Sequence, residues 1–143
     1  MFVSPSGAAP QIGPAGMAFY LAPSPLPEGE HGDLIRYRKK KVNIPDAPPF
    51  ESWQVLYLSS DALGKPNAVT GTVLVPESWA GGNVINYCVG TQGLAQTCAP
   101  SLQLQTGTCY ENENFVAILN AGYAVVISDY PGYTTGDYPS YCN

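Results

Sequence analysis

The chain has 143 residues, a hydrophobic fraction of 45%, a charged fraction of 12% and a formal net charge of −5. That length suits one domain, and so apolar a chain with so little charge is not disordered, since a disordered chain needs low hydrophobicity and dense charge to stay open. The acidic balance excludes a nucleic-acid partner, which requires a basic stripe to displace counterions from phosphates, and no apolar run approaches the roughly 20 residues of a membrane-spanning helix.

Residues 1–31 read as an extended lead-in, because Pro5, Pro10, Pro14, Pro23, Pro25 and Pro27 interrupt any regular element. The start has no positively charged segment followed by an apolar one, so it is not a signal peptide as it stands. Asp33 to Val42 alternates weakly and predicts a first strand at a sheet edge, with Arg36, Arg38 and Lys39 to Lys41 as a solvated face. Trp53 to Leu58 and Val69 to Val75 are rich in β-branched and aromatic residues. Asp61, Gly64 and Pro66 lie between them, which predicts an antiparallel hairpin. Val84 to Val89 is short and almost wholly apolar, as in a strand covered on both faces, and it enters the loop Gly90 to Gly93. Thr108 and Glu111 have capping-box spacing, and Phe115, Ile118 and Leu119 follow at helical spacing up to Gly122, predicting a helix over 108–121. The strand Ala124 to Ser128 comes next and stops at Asp129.

Strand, loop, helix and strand make one parallel βαβ crossover. The fold class is therefore α/β, with an antiparallel opening hairpin followed by that crossover. Functional groups are expected at the carboxyl ends of the parallel strands, in the loops Gly90 to Gly93 and Asp129 to Tyr133.

Four cysteines, Cys88, Cys98, Cys109 and Cys142, are an even number in a chain whose low charge is common outside the cell. At least one disulfide is expected, with Cys98 and Cys109 the leading candidates, and Cys88 is as well read as a buried thiol. No CxxC occurs and His31 is the single histidine, so no metal site and no cofactor are expected. His31 precedes the first strand and reads as a surface loop residue. Tyr123, Tyr130, Tyr133, Tyr138 and Tyr141 either line an apolar binding pocket or, the preferred reading, form a surface or interface loop.

Five segments in order, AFYLAPSPL (18–26), GDLIRYR (32–38), TGTVLVP (70–76), GTQGLAQTCAPS (90–101) and NAGYAVVISDYPGY (120–133), resemble the secretory lipases of the lipase A type found in yeasts and actinobacteria. The resemblance implies an α/β-hydrolase fold, with residues 32–143 as its amino-terminal part, truncated before the nucleophile elbow. It also implies extracellular hydrolysis of carboxylic esters, including triacylglycerols. That chemistry takes a serine on a GxSxG turn, followed by an acid and then a histidine. This sequence has no GxSxG, and His31 comes too early. The resemblance further implies that Asp129 helps form the oxyanion hole. Two alternatives stand beside it: Asp129 as a turn residue capping local amides, and Gln92 in the GTQG loop as the oxyanion donor. The chain is thus expected to be a fragment of a lipase, inactive alone, that meets a lipid or ester substrate only when completed by a carboxyl-terminal part. The alternative is a non-catalytic interaction module, self-associating through an exposed sheet edge.

Overall fold

Proline and glycine divide the chain into short elements. A computed structural model describes residues 9–133 and gives, in chain order, β1 (Gln11–Ile12), a 3-10 turn (Gly16–Tyr20), β2 (Leu34–Lys39), β3 (Phe50–Ser60) and β4 (Pro66–Pro76). Then come β5 (Val84–Tyr87), a second 3-10 turn (Gln96–Cys98), α1 (Pro100–Thr106), α2 (Asn112–Asn120) and β6 (Ala124–Ser128).

The hairpin of β3 and β4 is the frame, paired antiparallel from Phe50↔Pro76 to Ser60↔Pro66. Its turn closes on Asp61, whose Oδ1 accepts the amides of Leu63 and Lys65 at 2.9 and 2.8 Å. The strands run beyond the sequence-predicted spans because the long pairing carries Phe50 and Pro66 into the ladder. On one side β2 pairs antiparallel with β3, and β1 then pairs parallel with β2. The first strand is therefore not the edge that the sequence suggested. It also ends at Lys39, and Val42 instead turns into the core.

On the other side β6 lies between β4, antiparallel to it, and β5, parallel to it, giving the order β1-β2-β3-β4-β6-β5. The expected antiparallel opening and parallel crossover are both present. The last strand of the described residues lies inside the sheet, and β5 is the outer strand on this side. The expectation that Val84 to Val89 is covered on both faces fails: residues alternate exposed and half-buried along β5, since only the face carrying Ile85 and Tyr87 packs on the core.

Leu74, Val125 and Ile127 from the sheet meet Leu104, Phe115 and Leu119 from the helices in one buried cluster. A second cluster joins Phe19 and Tyr20, from within the lead-in, to Leu56 and Ala68. Each buried Leu, Ile, Val or Phe among them stabilises the fold by about 1.5–3 kcal/mol.

Helix α1 falls where the sequence reads as loop, although Pro100 stands in its first turn and Gly107, at φ 75°, ends it in a left-handed turn. The capping box at α2 does not form. Glu111 is the N-cap residue but makes no side-chain cap, because its carboxylate is taken by the loop after β5. The Thr108 hydroxyl bonds Thr106 instead. Gly122 does end α2 as expected, at φ 79°, with Gly122 N–H donating to Leu119 O and Tyr123 N–H to Ile118 O.

Candidate functional site

The loops after β5 and β6 lie side by side because their strands are parallel neighbours. Tyrosines stitch them together: the Tyr130 hydroxyl donates to Val89 O at 2.6 Å, and the Tyr133 hydroxyl donates to Gly93 O. From below, Glu111 accepts the Gly90 amide at 2.8 Å on one oxygen and the Tyr87 hydroxyl on the other. A β-carbon at Gly90 would meet the Tyr110 hydroxyl, so a side chain there would push the exposed Tyr110 ring aside from Glu111. Burial pulls the Glu111 carboxyl upward, but the donors Tyr110, Tyr87, Gly90 and Asn114 outweigh it and hold the group below the usual range. Tyr110, bonded to that carboxylate, is pushed up to about 12.

Asp129 is buried at 1% exposure. Its main-chain N–H donates to Thr70 O at 2.8 Å. Its Oδ1 accepts the Ser101 amide at 2.8 Å, and its Oδ2 accepts the Ser101 and Thr70 hydroxyls at 2.5 and 2.6 Å. These are long-range partners on α1 and β4, so the local-cap reading of Asp129 does not describe the carboxylate. Burial raises its pKa from 3.8 to about 6, against the opposing pull of the hydrogen bonds from Ser101 and Thr70.

Ser101 is no nucleophile here. It is buried at 1% exposure, its hydroxyl proton is given to Asp129, and no histidine stands beside it. His31 lies on the surface, where its ring meets the Ser59 hydroxyl at 3.3 Å, as the sequence suggested.

The Gln92 side-chain nitrogen is buried near the Cys109 thiol and makes no hydrogen bond of normal geometry among the described residues. The expected Cys98–Cys109 disulfide is absent. Both are free thiols, as is the exposed Cys88. Cys109 is drawn into the helix-side core with Leu104 and Phe115, while Cys98 Sγ faces Gly93. Burial pushes the Cys109 thiol up. Cys142, Tyr138 and Tyr141 lie outside the described residues. Of the other tyrosines, Tyr123 is exposed, Tyr130 half-buried and Tyr133 buried, so the surface-loop reading holds only for the first.

The basic face of β2 also differs from expectation. Lys39 is exposed and pairs with Glu51. Arg36, however, donates to Ala18 O and Leu21 O, and Arg38 donates to Pro14 O and Gly16 O. Two arginines thus clip the lead-in to the sheet, and the Arg38 guanidinium stacks 4.4 Å from the Phe19 ring centre.

Thr70, Ser101 and Tyr20, which hold Asp129, carry no mark in the sequence that sets them apart, and Glu111 is marked there only as a helix-start residue. The nearest signal is for Ser101, which follows a proline and precedes an apolar residue, as a residue in the first turn of a helix does. A cleft of about 430 Å³ beside the lead-in includes Ile12, Pro25, Leu26 and Leu58, and none of its lining residues belongs to either loop.

A mixed sheet with an antiparallel hairpin, a parallel crossover and its loops gathered at the carboxyl ends of β5 and β6 is a partial α/β-hydrolase fold. No family model matches the chain. It is 33% identical over 125 residues to lipase 9 of Candida albicans, a match spanning 80% of this chain and 28% of that one. A secreted triacylglycerol lipase of Malassezia restricta is 31% identical over 126 residues, covering 80% of this chain and 27% of the relative. The solved structure of lipase A from Candida antarctica in its closed state superposes with a TM-score of 0.64 at 25% identity, over 73% of this chain and 27% of that one. The chain belongs to the secretory lipase family of α/β-hydrolases, and it spans between a quarter and a third of the length of these relatives.

Proposed function

We propose that this chain is the amino-terminal part of a secreted lipase, supplying the sheet and one side of the active site for the hydrolysis of lipid carboxylic esters such as triacylglycerols. The observation that carries this reading is the paired loops at the carboxyl ends of β5 and β6, in a hydrolase-type sheet whose outer strand, β5, has an open edge among the described residues. The serine elbow, acid and histidine belong to residues outside this chain, since its sequence has no GxSxG and only His31.

Asp129 is the residue we assign to the oxyanion hole, ahead of Gln92. Its amide is spent on Thr70, so its side chain is the donor. A carboxyl group donates only when protonated, and a pKa near 6 supports that state in mild acid.

The test is hydrolysis of a short-chain nitrophenyl ester by the purified chain. No turnover above background is expected, because losing a triad costs about a million-fold. A burst traced to a mapped serine would overturn the reading, as would absence of ester hydrolysis from a longer product of the same gene.

A second reading, an interaction module, is favoured by one observation. Val84, which opens β5, and Tyr123, which directly precedes β6, are 49% and 44% exposed at that end of the sheet. Elution of the chain as a monomer at high concentration would count against it.

A further inference from the structure

Arg38, Gln54, Tyr20, Ser101 and Asp129 come from β2, β3, the first 3-10 turn, α1 and the loop after β6, and they are joined in one hydrogen-bonded line. The Arg38 guanidinium donates to Gln54 Oε1 at 2.8 Å, and Gln54 Nε2 donates to the Tyr20 hydroxyl. The Tyr20 hydroxyl meets the Ser101 hydroxyl at 3.1 Å, which meets Asp129 Oδ2 at 2.5 Å.

Chemistry at the two ends sets the direction of every link. A guanidinium has only donors, so Gln54 must turn its oxygen to Arg38 and its amino group to Tyr20. An ionised carboxylate has only acceptors, so Ser101 must give its proton to Asp129 and accept that of Tyr20. Both constraints demand the same polarity. Each donor therefore polarises the next, and a surface cation answers a buried anion without touching it.

We infer that Ser101 and Tyr20 are positioning residues that hold Asp129 as a carboxylate, with Arg38 as its remote counter-charge. The lead-in is then part of the Asp129 site. Arg38 and Tyr20 serve both functions, since the same guanidinium holds Pro14 O and Gly16 O. By reciprocity, a docked lead-in favours the ionised carboxylate, and protonation of that carboxylate loosens the lead-in. Among the described residues, Tyr57 of β3 also senses Asp129, and burial, with the Asp129 charge behind it, raises its pKa as it does that of Tyr20; Tyr130 beside Asp129 is raised by burial, and Cys88 acts on Tyr57 and Tyr130. Thr70 of β4 and Gln105 of α1 complete the surroundings without titrating. This inference rests on the oxyanion-hole reading only for its catalytic consequence, namely that the line opposes the protonated donor form.

The experiment follows the Asp129 carboxyl carbon by NMR in the full chain between pH 4 and pH 8, with the Arg38 Nε–H and Tyr20 ring signals recorded alongside. Both sets of signals should move with one shared midpoint. Ser101→Ala should raise the midpoint by on the order of one unit, since a donor to the ionised form is lost. Tyr20→Phe and Arg38→Gln should raise it by less, and Arg38→Lys should bring it back toward wild type. Arg38 and Tyr20 signals that stay flat through the Asp129 transition would overturn the inference, as would wild-type midpoints in Tyr20→Phe and Arg38→Gln. The wild-type co-titration decides the matter even if Ser101→Ala fails to fold. No ester hydrolysis is read, so failure of the lipase assignment would leave these titrations unchanged.

Discussion

At the residue scale, Asp129 is pulled two ways. Three donors favour its anion, while complete burial disfavours it, and burial prevails, leaving a pKa of about 6 against the ordinary 3.8. A folded-state pKa above the unfolded one means that the folded chain holds the proton more tightly. This contribution to stability is fully present below pH 3.8 and is lost as pH rises through about 6. The difference is on the order of 3 kcal/mol by neutral pH. Asp129→Asn, which cannot ionise, removes that slope. Urea unfolding at pH 4.5 and pH 7 should show the stability of wild type falling relative to Asp129→Asn as pH rises. Parallel behaviour of the two proteins would show that the charge is not buried. Position 71 illustrates a different constraint. A β-carbon on Gly71 would stand 2.7 Å from Ile127 O, a backbone atom that cannot move aside, so the close pairing of β4 with β6 requires glycine there.

At the scale of elements, the site depends on how the loop after β5 is held. Glu111 was legible as a helix-start residue, and it does stand at the start of α2. What it bonds was not legible, because the Gly90 amide and the Tyr87 hydroxyl reach it only once β5 lies beside the helix start. Glu111→Ala should leave α2 in place and free the loop. Hydrogen exchange at Gly90 should then rise at least tenfold, matching loss of about 1.5–3 kcal/mol from hydrogen bonds to a charged group. Unchanged exchange at Gly90 would mean that Tyr130 and Tyr133 hold the loop without it. The two arginines of β2 make the same point. Alternation along that strand placed Arg36 and Arg38 on one face, but the lead-in carbonyls they hold are some twenty residues away in sequence.

At the scale of the whole molecule, β5 is an outer strand of the sheet among the described residues. A strand edge with unpaired backbone groups is a template for another strand, and a lysine placed on it discourages pairing. On the interaction-module reading, wild type should elute above monomer size at high concentration, and Val84→Lys should shift it to monomer. The same elution volume for both proteins would place any association elsewhere.

The hairpin, the crossover, the Gly122 helix stop, the surface position of His31 and the family resemblance were all readable from residue order. Alternation, turn chemistry and short motifs act between neighbours along the chain, so they are visible in the sequence itself. Tertiary structure alone decided that β6 enters between β4 and β5, that Cys98 and Cys109 face different surroundings, and that Asp129 is gripped by Ser101 and Thr70. Those outcomes depend on which groups become neighbours once apolar surface is buried and most enclosed polar atoms must find partners, and residues 20 and 101, or 70 and 129, meet only then.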